Sequence, residues 1–248
     1  MGAVTKRFSF TASIAGLNTR VHTDYPEIQS VYHCFLSESG HVDFEISVSE
    51  DLFAFAAEMH GGAMPGLLPW HTENLALQYL LCQCALRHGC LLIHASSLQL
   101  DGKAYLFSAP SGTGKSTHSR LWVETFEGRA SMINDDMPLL RRLDGRWLVC
   151  GTPWTGKHGL GFNCTAPLKA LGLLRRGNNT IRSYAQQEDF PYLLNQVLRP
   201  NDSDLMDLTF ALLEQLLTEV PVWSLFCEPT QAAAIMAANA MKEQKYED

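Results

Sequence analysis

Lys115 and Ser116 are followed by two adjacent carboxylates, Asp135 and Asp136. An ammonium, a hydroxyl and a carboxylate pair are the groups that bind and move a phosphoryl group. Lys115 lies in the run Ala109-Pro110-Ser111-Gly112-Thr113-Gly114-Lys115-Ser116-Thr117. Gly112 and Gly114 let the backbone approach an anion closely and adopt positive φ. The first amides of a helix opening here point into the same space and carry its partial positive charge. In this reading Ser111 to Thr117 cradle the phosphates of ATP, Lys115 sits on the β/γ-phosphates, and the Ser116 hydroxyl ligates a bridging Mg²⁺. The strict loop pattern begins with Gly; Ala109 in that place is a sterically mild departure.

The elements that must hold these groups are legible around them. Tyr105-Leu106-Phe107 reads as a short buried strand entering the loop, and the residues after Lys115 continue as helix through Trp122. The mostly apolar run Ala130 to Asn134 delivers Asp135 and Asp136, where a P-loop nucleotidase keeps its metal-binding acid. Cys90 to Ala95 and Ser97 to Leu100 read as strand, paired through an Asp101-Gly102 turn with the strand that enters the loop. His94 stands fifteen residues before Ala109. It is either a core histidine bonded to backbone or a neighbour of the phosphates. A second Gly-rich loop, Gly151 to Gly161, carries Lys157 and His158; it is a plain connection or a mobile cationic segment reaching phosphate. Arg175-Arg176-Gly177 reads as the solvated end of a buried strand, and Glu188 to Leu198 and the segment after Ser203 as core helices.

At 248 residues the chain suggests one principal domain with an appendage. The alternating runs before Ser49 and the Gly/Pro-rich stretch His60 to Gly66 divide it into a small β-rich unit, 1–70, and a P-loop domain, 71–248. Hydrophobic residues at 46% and charged residues at 18% exclude a disordered chain. A net charge of −7 argues against nucleic acid as a partner. Seven cysteines without a paired C-x-x-C spacing read as small buried hydrophobes in a reducing compartment. With no apolar stretch of the ~18 residues a membrane span needs, the expected location is cytoplasmic.

His94, the loop Ala109 to Ser116, Asp135-Asp136 and His158-Gly159-Leu160-Gly161 together resemble the catalytic domain of HPr kinase/phosphorylase. They resemble the ATP-dependent phosphoenolpyruvate carboxykinases more distantly. The resemblance covers roughly Leu91 to Leu174. It implies a mixed-sheet α/β P-loop core, ATP and Mg²⁺, and a serine or threonine hydroxyl of a peptide or protein as acceptor. It further implies that the Asp pair binds metal and serves the acceptor; within the pair we assign Asp136, with Ser116, to the metal and Asp135, assisted by His94, to the base, an order the sequence does not itself fix, with Lys157 or His158 neutralising the transferring group. The family's Arg-Gly-Leu-Gly segment has His158 in place of Arg here, with Lys157 adjacent, so the family's reverse phosphorolysis is not carried over. The chain also lacks much of the family's larger N-terminal domain. Two alternatives stand beside this one: a small-molecule kinase acting on a free hydroxy amino acid, and an ATP-binding regulator that transfers nothing. Self-association is left open.

Overall fold

The structure, a computed structural model, describes residues 7–61 and 68–242. Most of the expected linker at 60–66 and the tail beyond Lys242 lie outside the described residues. The chain divides into two compact units, Met1–Ala85 and Leu86–Asp248.

In the first unit β1 (Phe8–Ile14) and β2 (Leu17–Thr23) form a hairpin closed by Ala15-Gly16, both at positive φ. A short α1 (Pro26–Val31) follows, with proline in its first turn where a missing N–H costs nothing. β3 (Phe44–Ser47) adds parallel to β2, and the helices α2 (Glu50–Gly61) and α3 (Pro69–Leu86) complete the unit. The expected boundary near residue 70 lies ahead of α3, which groups with the first unit. Glu73 of α3 is fully buried, and its Oε2 accepts from the Thr23 hydroxyl at 2.7 Å and the Asp24 N–H at 3.2 Å.

The second unit is built on a nine-stranded mixed sheet. Its strands are β4 (Cys90–Leu92), β5 (Ala95–Leu100), β6 (Lys103–Ser108), β7 (Ala130–Asn134), β8 (Leu139–Leu143), β9 (Arg146–Cys150), β10 (Thr165–Arg176), β11 (Thr180–Ser183) and β12 (Val222–Cys227). Two hairpins, β5–β6 and β8–β9, turn at Asp101-Gly102 and Asp144-Gly145 with positive φ at both central residues, the type I′ chemistry that matches strand twist. The expected runs Cys90 to Ala95 and Ser97 to Leu100 divide earlier, at 93–94, and part company: β4 pairs with β8, whereas β5 pairs with β6 and β7. His94 sits at the break.

β10 is the spine. One edge takes β6 in parallel; the other takes β9 antiparallel at Thr165–Pro167 and then β12 in parallel from Leu171 to Arg176. Its register against β6 shifts between Leu168 and Ala170, a bulge that inserts one residue. Side chains alternate between two cores because strands have a period of two. On one face Leu106, Leu171 and Leu173 pack with Leu193 of α5 (Gln186–Leu194) and with Leu205, Leu213 and Leu216 of α6 (Ser203–Glu219). On the other, Tyr105, Phe107 and Ala170 pack with Trp122 of α4 (Lys115–Thr125) and with the alanines of α7 (Gln231–Lys242). α6 starts where the sequence indicates, with the Asp202 carboxylate accepting the Leu205 N–H. Among the described residues no helix is long and apolar enough to cross a membrane.

Two buried polar groups give stability tests. Asp189 of α5 is fully buried and accepts from the Ala185 N–H, Arg175 and Arg182. Burial alone would raise its pKa, but those hydrogen bonds and the Arg175 charge hold it below the ordinary carboxylate value. Asp189→Asn therefore removes the carboxylate partner of Arg175 and leaves Arg182 paired with Glu188 alone. Because both guanidinium groups are partly solvent-exposed, the expected loss is about 2–4 kcal/mol, read from a urea midpoint at unchanged m. The Asp189 contribution is present above the unfolded carboxylate pKa and disappears as pH falls through the lower folded one. His118 of α4 is buried and accepts the Trp122 Nε1–H at 3.0 Å, and burial pushes its pKa down to about 4. The unfolded chain thus binds the extra proton first. Stability should fall by roughly 3 kcal/mol as pH drops from ~6.5 to about 4. His118→Gln, which keeps an acceptor for Trp122, should flatten that part of the profile.

Candidate functional site

Topology puts the chemistry at one edge of the sheet. β10 runs parallel to β6 and β12, and β7 is parallel to β6 because both are antiparallel to β5. The C-terminal ends of all four strands therefore emerge together, the place where open α/β sheets bind ligands. β5 runs the other way and begins there, with Ala95 opposite Ser108, so His94 arrives beside the loop that leaves β6.

The loop itself is left-handed at Gly112 (φ 77°) and Gly114 (φ 119°). Gly114 is the N-cap of α4 and contributes no side-chain cap, so the first helical amides remain directed into the loop. Lys115 is buried, with Nζ 2.8 Å from the Ala109 carbonyl and 3.0 Å from His94 Nε2. An ammonium has three donors, so one is left over. Burial lowers its pKa and the nearby Asp136 charge opposes the shift. His94 is fixed on its other side: Nδ1 lies 3.1 Å from Gln196 Oε1, and the His94 N–H donates to the Gln196 carbonyl at 2.8 Å. With the proton on Nδ1, Nε2 accepts from Lys115; the same Nε2 is 3.2 Å from Asp136 Oδ1. His94 is thus no core histidine bonded to backbone alone. It joins Lys115, Asp136 and Gln196.

The acid pair is placed by Asn134, the fully buried last residue of β7. Its Oδ1 accepts the Asp136 and Met137 N–H groups at 2.9 and 2.7 Å. Its Nδ2 donates to the Thr152 and Trp154 carbonyls and to Thr152 Oγ1, each at 3.1 Å. The second Gly-rich loop is pinned by these bonds at one end and by Asp135 N–H to Leu160 O and Phe162 N–H to Ile133 O at the other. Gly151 and Gly161 are required by close approach: a Cβ would lie 1.8 Å from the Phe162 carbonyl oxygen and 2.4 Å from Thr155 Cγ2. The loop is therefore not a free lid along its whole length. Only Lys157, His158 and Gly159 at its tip are fully exposed.

Asp135 is buried. Its Oδ1 accepts the Gly156 N–H at 2.7 Å, while Oδ2 has no hydrogen-bond partner. A cavity of about 480 Å³ beside it is lined by Ser116, Thr117, Asp135, Lys157 and His158 among others. A buried carboxylate oxygen without a partner next to a hydroxyl fits a hard cation. No cluster of three or more metal-ligating His, Cys, Asp or Glu occurs among the described residues.

On the other flank a cavity of about 420 Å³ lies between Gly112 to Gly114 and the ends of β10 and β12 at Arg176, Gly177 and Glu228. Ser111 and Thr113 face a shallower depression with Tyr192. The strand end Arg175-Arg176 is more than a solvated terminus: Arg176 donates to the Gly112 carbonyl at 2.8 Å, and Arg175 lies over the Tyr192 ring while bonding Asp189. Asn134, Gln196 and Arg176 escape a reading of the sequence: Gln196 and Arg176 act on partners distant along the chain, and Asn134 ties its own turn to Thr152, 18 residues on. The one available signal is an asparagine ending an apolar strand, a position that calls for a buried acceptor and donor.

Asn134→Asp keeps the acceptor for Asp136 and Met137 but turns a second oxygen toward three others. The expected result is destabilisation by about 1–3 kcal/mol. Hydrogen-exchange protection should be lost at 151–162 and retained in α6.

No protein-family model matches the chain, and no curated protein matches it. Among solved structures it is similar to the structure of the Hpr(Ser) kinase/phosphatase from Coxiella burnetii, with 11% identity and a TM-score of 0.36 over 60% of this chain and 86% of that one. A likeness of that degree carries no functional argument, which rests on the geometry above.

Proposed function

We propose that the chain is an ATP- and Mg²⁺-dependent kinase that transfers the γ-phosphoryl group to a hydroxyl, that of a serine or threonine in a peptide or protein. The observation that carries this reading is the meeting, at one sheet edge, of the loop Ser111 to Ser116 with a buried carboxylate whose Oδ2 has no partner. The amides of Gly112, Thr113 and Gly114 would hold the phosphates, with the spare Lys115 proton directed to an oxygen of the transferring group. Ser116 and Asp135, which line one cavity, are the pair that fits the metal, and Asp136, beside His94 Nε2, is left to accept the hydroxyl proton. This exchanges the two carboxylate roles expected from the sequence. Mg²⁺ bound there would neutralise charge on the phosphates. Gln196 holds the His94 ring, and Lys157 and His158 approach from the acceptor side. A free hydroxy amino acid as acceptor is the second reading, since a cavity of about 480 Å³ could enclose one.

The test is transfer from labelled ATP to serine-containing peptides, to free serine and to water. Label on peptide supports the proposal, label on serine the second reading. Tight ATP binding with no transfer to any acceptor would leave a nucleotide-responsive regulator. Lys115→Met retains the buried stem, so the protein should still melt cooperatively while transfer falls by at least ~10²-fold. Asp135→Asn should abolish the gain in affinity for a fluorescent ATP analogue that Mg²⁺ brings. Asp136→Asn should keep that gain and lose transfer; the opposite pattern would restore the original assignment.

A further inference from the structure

The walls of the cavity beside Asp135 differ in character from the phosphate side. Ser116, Arg120 and Val123 succeed one another at i, i+4 and i+7 along one face of α4. Val123, with Met132 of β7 and Leu160 of the second loop, supplies three half-buried apolar side chains. The rim carries three basic residues, Arg120, Lys157 and His158, all exposed. Among the described residues Asp135 is the one acidic residue lining the cavity, in a chain with 26 acidic residues against 19 Lys and Arg. Arg120 meets Glu124 at 3.5 Å across a solvent-exposed helix turn, a contact weak enough to exchange for another carboxylate.

We infer that the acceptor is an acidic peptide segment in which the phosphorylated serine or threonine is next to a large apolar side chain and flanked by carboxylates. This deepens the kinase reading and rests on it. The apolar neighbour covers Val123, Met132 and Leu160, bringing the hydroxyl toward the acid pair, while the flanking carboxylates meet Arg120 and Lys157 at the rim. Free serine carries no large apolar side chain to cover that floor and no flanking carboxylates for the rim. In the transfer, the hydroxyl oxygen forms a bond to the γ-phosphorus as the bond to the β-phosphate oxygen breaks. ADP leaves and the hydroxyl proton passes to the carboxylate.

The experiment separates recognition from chemistry. Labelled peptides with serine followed by leucine and flanked by glutamates, the same peptide flanked by lysines, and a glutamate version with glycine for leucine are titrated into the full chain with Mg²⁺ and a non-hydrolysable ATP analogue. The acidic, leucine-containing peptide should bind about tenfold more tightly than the lysine version, as expected for two or three exposed ion pairs of a few-fold each. It should also bind several-fold more tightly than the glycine version. Arg120→Glu should remove most of the charge preference without changing affinity for the ATP analogue. Equal binding of acidic and basic peptides, preference for the basic one, or complete competition by free serine at comparable concentration would overturn the inference. Transfer from ATP is then measured on the same peptides. Preferential binding without transfer would uphold the recognition and sink the kinase reading, whereas transfer to all three at equal efficiency would uphold the kinase and sink the recognition.

Discussion

The side-chain amide of Asn134 is the interaction on which the arrangement of the site depends. It lies out of water at the end of β7. Its oxygen takes the N–H groups of the acid-pair turn, and its nitrogen gives to the carbonyls that open the second loop. A buried amide left unpaired costs more than a paired one contributes, so the four partners are effectively obliged to stay together. One side chain thereby fixes the distance between the carboxylates and the segment bearing Lys157 and His158. Gly156, two residues past Trp154, adds its own N–H bond to Asp135.

The second constraint is electrostatic. The chain is acidic overall, yet Lys115, Arg120, Lys157, His158 and Arg176 gather around the emerging ends of the parallel strands. Asp135 and Asp136 lie among them, with Glu124 beside Arg120 and Glu228 lining the same cavity as Arg176. The opening of α4 adds the positive end of its dipole to the same region. Much of the remaining positive charge near the sheet is neutralised internally, as with Arg175 and Arg182 on Asp189.

Local chemistry was legible in the sequence, and long-range chemistry was not. The Asp101-Gly102 turn, the Gly-rich loop and the helix after Lys115 depend on residues next to one another, and each stands where the sequence placed it. The break at His94 was invisible because no Gly or Pro marks it between Leu91 and Leu100; only the choice of different partner strands by its two halves reveals it. Gln196 meets His94 across 102 residues of chain, a distance at which no periodicity survives. The helix α1 carried a signal, a proline at its start, but its six residues are too few for an amphipathic pattern. The pinning of the second loop was missed for another reason: Gly-rich sequence is shared by segments that must move and by segments that backbone must approach closely.

The single extra residue in β10 has a consequence for parity. Up to Leu168, even-numbered side chains of the strand face α5 and α6; beyond the bulge, odd-numbered ones do, as Leu171 and Leu173 attest. Arg175 is therefore odd in the shifted count and turns to the Asp189 side, while Arg176 is even and turns to the α4 side, where it holds the Gly112 carbonyl. Two neighbouring residues of the same type are assigned opposite duties by an irregularity several positions upstream. Loss of one residue near Lys169, with β12 keeping its place, would exchange them, and would also swing Gly172 away from the face where Leu225 and Phe107 leave no room for a side chain. The loop's anchor is thus set by counting along the strand, since identical side chains stand at both positions.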